Sequence, residues 1–189
     1  MPHADSSYFA PGLSKDEVYT QMIEQTRGLI YGQRNWVRMF PRILTDNLSN
    51  TASLLWHAYA VLPSNINWAG FYIRDDKFPL TSTPQSSDRV LLLGPFQGKP
   101  ACQLIHFGRG VCGTAAAKQE TVVVDDVMAF PGHIACDAES RSEVVVPILV
   151  GDETVAIIDI DCTEEKGFDE VDRKHLEALA GVLAEGCDW

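Results

Sequence analysis

"EVVVPILVGDETVAIIDIDC", Glu143 to Cys162, is the stretch on which the architecture turns. Two runs rich in branched apolar residues, Glu143 to Val150 and Thr154 to Asp161, are separated only by "GDE", which reads as a tight hairpin between antiparallel strands. Strand periodicity sends Asp159 and Asp161 to one face of an otherwise apolar strand. The hairpin brings Glu143 back beside Asp161. Three acids near one strand end suit a positively charged small molecule or a divalent metal, and in a pocket one of them would hold its proton more tightly. A strand running out into solvent is the plain alternative.

Working outward, "INWAGFYIR" (Ile66 to Arg74) and "RVLLLGPF" (Arg89 to Phe96) read as strands joined by a long polar loop, Asp75 to Asp88. Cys102 to Phe107 and Glu120 to Val124 are further strands. Helical spacing marks three helices. The first follows the capping-box pair of "SKDE" at Ser14 and ends near Gly32, the second spans Asp46 to Leu62, and the last runs from about Asp169 to Glu185. Trp68 and Tyr72, four apart on one strand face, wall either a pocket or the core. The expected fold is α+β, an antiparallel sheet with helices packed mainly on one face. Residues 1–13 are expected as a flexible N-terminal tail and 14–189 as a single domain.

The 189 residues carry a formal net charge of -11, and their 15 Lys and Arg are scattered. Phosphate backbones and anionic membranes both need a basic patch, so neither is an expected partner. No apolar run approaches about 18 residues, and the N-terminus has neither the basic nor the apolar segment of an export signal. The chain therefore reads as soluble and cytoplasmic. Five cysteines in a reducing compartment are expected to be free thiols, with any disulfide catalytic or regulatory.

Three of those cysteines stand in polar, Gly/Pro-marked surroundings. Cys136 lies in "PGHIACDAES", and Cys102 and Cys112 in "KPACQLIHFGRGVCGTAAAK". A thiol in such a setting is a better candidate for chemistry than for packing. The glycine-rich "FGRGVCGTAAAK" reads as a turn entering a short helix, whose start would lower the Cys112 pKa, although the glycines also have a purely structural use. A zinc set of His133, Cys136, Cys102 and Cys112 is disfavoured, because structural sites show two close pairs and here only one pair is close.

Together "NWAGFY", "LGPFQGKPACQLI", "GRGVCGTAA", "PGHIACDAESRSEVVVPI" and "IIDIDC" resemble the free methionine-(R)-sulfoxide reductases, single-domain enzymes of the GAF fold. The resemblance implies a nucleophile at Cys136, regenerating thiols at Cys102 and Cys112, and a pocket lined by Trp68, Tyr72, Glu143, Asp159 and Asp161. It also implies free methionine-(R)-sulfoxide as substrate, no cofactor, no metal, and an external dithiol such as thioredoxin as reductant. A homodimer stays open, and Cys162 and Cys187 match no role in the family. The rival class is a GAF sensory module that binds a small ligand, for which three loop cysteines have no obvious use.

Overall fold

The computed structural model describes residues 8–32, 47–77, 89–134 and 137–189. Cys136, residues 78–88 of the long loop and the expected helix start at Asp46 lie outside them. Helix α1 (Lys15–Ile30) begins as its sequence requires: the Ser14 hydroxyl accepts from Glu17 N-H while the Glu17 carboxylate accepts from Ser14 N-H. Helix α2 (Asn47–Tyr59) ends ahead of Pro63. Strands β1 (Ile66–Arg74), β2 (Val90–Gly98) and β3 (Leu104–His106) precede helix α3 (Gly110–Lys118). Strands β4 (Val122–Val124), β5 (Ser142–Val150) and β6 (Glu153–Cys162) then lead to helix α4 (Glu170–Gly186), capped by Asp169.

The six strands form one sheet in the order β3-β2-β1-β6-β5-β4, every neighbouring pair antiparallel. The expected hairpin is β5–β6, and its register sets Glu143 opposite Asp161 and Val145 opposite Asp159. Alternation divides each central strand between two cores. Ala69, Phe71 and Ile73 with Ile158, Ile160 and Val144 face α1, α2 and α4, whereas Trp68, Tyr72, Val145 and Ile157 face α3. Both faces are therefore covered, one by three helices and the other by a single short one, which leaves room beside α3 for a cavity.

Two features were not anticipated. Residues 8–13, expected as part of a loose tail, carry Phe9 into the main core at 4% exposure, with Leu13 packed beside it. Asp172, a polar position in the last helix, is fully buried, where its Oδ1 accepts from the Tyr19 hydroxyl at 2.7 Å and from the Tyr59 hydroxyl at 3.0 Å. Its other oxygen takes the Asp169 N-H at 2.7 Å and the Lys15 ammonium, so a buried carboxylate is fully partnered while it ties α1 and α2 to the start of α4.

Candidate functional site

The cavity beside α3 has a volume of about 60 Å³ and is lined by Trp68, Tyr72, Cys102, Cys112, Glu143, Asp159 and Asp161, together with Lys99, Arg109, His133, Ile134, Asp137 and Ser140. All of the described residues singled out in the sequence thus converge on one place. The acids do so through β-sheet register: Asp159 pairs with Gly70 and Asp161 with Trp68 on one side, and Val145 and Glu143 pair with the same two aspartates on the other.

The aromatic wall is built around a glycine. The Trp68 ring stacks on Tyr72 at 5.7 Å between centroids and on Phe96 at 5.3 Å. Gly70 lies between Trp68 and Tyr72 on the same strand face, and a Cβ there would stand 2.4 Å from Phe96 Cβ and 2.8 Å from the Trp68 ring. Only a residue without a side chain lets the indole lie flat across β1. Among the described residues, Trp68 Nε1 and Asp159 Oδ1 are both buried without a hydrogen-bond partner. Unpaired polar atoms of this kind are rare in folded proteins and point to a ligand in the cavity.

Burial dominates the electrostatics. Glu143 and Asp159 are each 5% exposed. Loss of solvation, reinforced by the neighbouring Asp159, pushes the Glu143 and Asp161 carboxyls well above the usual carboxylate range. The same burial raises Asp159 to about 7. At neutral pH this cluster therefore retains protons. Asp137, at the rim, is the opposite case: the Glu139 N-H at 3.0 Å, with Lys99 and Asn67 Nδ2 beside it, holds it below the ordinary aspartate value and keeps it ionised.

Cys112 requires a correction. Its position in the first turn of α3 suggested a lowered pKa, but burial and the charges of Asp159, Glu143 and Asp161 push the thiol well up. A helix terminus contributes at most about 2 kcal/mol, roughly 1.5 pKa units, whereas full burial shifts a group by up to about 3–5 units. Cys112 is consequently a protonated thiol whose Sγ donates to Glu143 Oε1 at 3.4 Å. The glycines of "FGRGVCG" have their structural use, since Gly108 and Gly110 adopt φ of 78° and 61° to turn the chain into α3. Cys102 lies in irregular backbone on the cavity wall and is disulfide-bonded; Cys112, Cys162 and Cys187 are not in disulfides. Cys162 and Cys187 are buried in the core on the other side of the sheet.

A GAF domain model matches residues 51–186. The free methionine-R-sulfoxide reductase of Saccharomyces cerevisiae is 49% identical over 98% of this chain and 94% of that protein. The chain belongs to the family of free methionine-R-sulfoxide reductases. The Escherichia coli reductase of that name is 37% identical over 90% of this chain and 89% of its own length. The solved structure of the free methionine-R-sulfoxide reductase from Neisseria meningitidis, in complex with its substrate, superposes with a TM-score of 0.78 at 37% identity, covering 95% of this chain and 93% of that one. Among the described residues no helix is long and apolar enough to cross a membrane.

Residues on the cavity wall that sequence reasoning passed over include Asp137, Ser140 and Lys99. Asn67 organises two of them, its Nδ2 donating to Asp137 Oδ2 at 3.1 Å and to Ser140 Oγ at 3.0 Å. Their signal lay in the family motifs themselves: Asn67 opens "NWAGFY" and Asp137 follows the cysteine of "GHIACD".

Proposed function

We propose that this chain reduces free L-methionine-(R)-sulfoxide to L-methionine within the cavity beside α3, with residues 14–189 acting as one GAF domain. The observation that carries the reading is the convergence of three proton-retaining acids, an aromatic wall and two cysteines, one of them disulfide-bonded, on one cavity. Cys136 is assigned as nucleophile. His133, Ile134 and Asp137, its neighbours in sequence, line that cavity, which supports the assignment. A sensory module would need the acids and aromatics but has no use for the thiols.

In this mechanism the Cys136 thiolate attacks the electrophilic sulfoxide sulfur, a neutral carboxyl of the acid cluster protonates the sulfoxide oxygen, and the resulting hydroxyl passes from the substrate sulfur to the cysteine sulfur as the sulfur–sulfur bond breaks. Methionine departs and Cys136 is left as a sulfenic acid. Three carboxyls so close together in a low-dielectric site cannot all ionise. One ionises against the substrate's ammonium while another keeps the proton that the oxygen needs.

Cys102 is the resolving thiol. It attacks the sulfenic sulfur and expels water, and the resulting disulfide is reduced by a thioredoxin-type dithiol through exchange. The irregular backbone at Cys102 favours an approach to Cys136, whereas Cys112 is fixed in a helix and held protonated, which suits a slower, secondary relay.

Peptide mapping under non-reducing conditions after one equivalent of substrate tests the assignment. A Cys102–Cys136 bridge is expected as the first species, and Cys102→Ser is expected to accumulate the sulfenic acid. A Cys112–Cys136 bridge formed first in the parent protein would overturn it.

A further inference from the structure

The cavity contains a donor set that the reduction does not require as such. Cys112 Sγ and one carboxylate oxygen from each of Glu143 and Asp159 all lie within 4.8 Å of one another, and all three residues are buried. Tetrahedral zinc with a Zn–S bond of about 2.3 Å and a Zn–O bond of about 2.1 Å sets its sulfur and oxygen ligands roughly 3.6 Å apart. The Cys112 Sγ to Glu143 Oε1 separation is 3.4 Å, so one edge of that tetrahedron is already at coordination spacing.

The third corner points to a ligand independently. Asp159 is 5% exposed, lines the cavity, and its Oδ1 has no hydrogen-bond partner among the described residues. A buried carboxylate oxygen without a donor is costly until a proton donor or a cation reaches it.

We propose that Cys112, Glu143 and Asp159 form a binding site for a borderline-soft divalent cation, zinc being the representative, with its fourth position open to the cavity. A thiolate among the donors selects zinc or cadmium over magnesium and calcium, which take six or more oxygen ligands. On binding, the Cys112 sulfur–hydrogen bond is replaced by a sulfur–metal bond and its proton passes to solvent, as does any proton on the two carboxyl groups. No electrons are transferred. These are not the four residues, His133, Cys136, Cys102 and Cys112, whose spacing argued against a structural zinc. The ion would also be no cofactor: it would occupy the acids that meet the substrate and so compete with it, a consequence that rests on the substrate reading above, whereas the binding does not.

The experiment uses the protein with its Cys102 disulfide intact, so that Cys112 is the thiol available in the cavity. Zinc is titrated against a chromophoric chelator, and cadmium is added separately to observe the thiolate charge-transfer absorption in the ultraviolet. One zinc per chain is expected. Because loss of even an outer partner of a metal ligand weakens affinity by about 10–100-fold, Cys112→Ser and Asp159→Asn are each expected to weaken it at least about tenfold. The cadmium–thiolate band is expected to vanish in Cys112→Ser and to persist in the Cys162→Ser, Cys187→Ser double variant. Thermal melts without metal accompany each variant to establish that it is folded.

Failure of the disulfide form to bind one equivalent would overturn the site. So would binding that appears only on reduction and survives Cys112→Ser. Zinc bound as described but without a rise in the apparent KM for methionine sulfoxide would uphold the metal site and count against placing the substrate at these acids.

Discussion

Cys136→Ser is expected to lower turnover of free methionine-(R)-sulfoxide to less than about a thousandth of the parent rate, because removing the nucleophile of a covalent mechanism leaves only binding and positioning. The hydroxyl is similar in size to the thiol but stays protonated at neutral pH and attacks sulfur poorly. The fold should be indifferent to the change. The main core lies across the sheet from the cavity, among Phe71, Ile158 and Leu179, and none of the described residues in the 131–140 stretch belongs to it. Methionine release and a thermal melt on the same preparation check both halves. Substantial activity remaining in a folded variant would reject Cys136 as the nucleophile.

The second large effect is discrimination between free methionine sulfoxide and the same residue inside a peptide. Sites built around buried polar groups reject ligands that leave those groups unpaired by about 10⁴-fold, and an internal residue brings no α-ammonium to Glu143, Asp159 and Asp161. The enclosure adds to this. The sheet forms the floor of the cavity and the start of α3 one of its walls, with Trp68 stacked across β1, so flanking peptide has little space. The kcat/KM for an internal methionine sulfoxide in a short peptide is expected to be lower by on the order of 10³-fold or more. A peptide with methionine sulfoxide at its N-terminus, which keeps the ammonium, should fall between the two. Comparable rates on free and internal forms would remove the acids from the substrate's ammonium.

The parts of this arrangement that were legible in the sequence are those set by local periodicity. Asp159 and Asp161 share a face because strands repeat every two residues, and Glu143 meets Asp161 because "GDE" leaves the hairpin little choice of register. Ser14 and Glu17 announce the start of α1 through a hydrogen-bond pattern contained within four residues.

What was not legible depends on which surface covers which. Whether Cys112 titrates low or high is decided by the three acids beneath α3, which are 31 to 49 residues away in sequence, and not by the helix turn in which it sits. Phe9 stands beside an exposed Tyr8 in a polar segment, with no periodicity to indicate which of the two docks. Asp172 reads as the polar N3 position of a helix, and only the tertiary approach of Tyr19 and Tyr59 makes it a buried hub. The unpaired Trp68 Nε1 is likewise a product of packing, since an indole's partners cannot be inferred from its neighbours in the chain.

The most direct test is a single turnover without external reductant. Fully reduced protein is mixed with an excess of each epimer of free methionine sulfoxide, and methionine released and thiols lost are counted per chain. The expected result with the R epimer is one methionine formed as the first two thiols disappear, with water as the other product and a disulfide containing Cys136, and no methionine from the S epimer. Thiol loss without methionine, or methionine formed with every thiol retained, would contradict a reductase that works through its own cysteines.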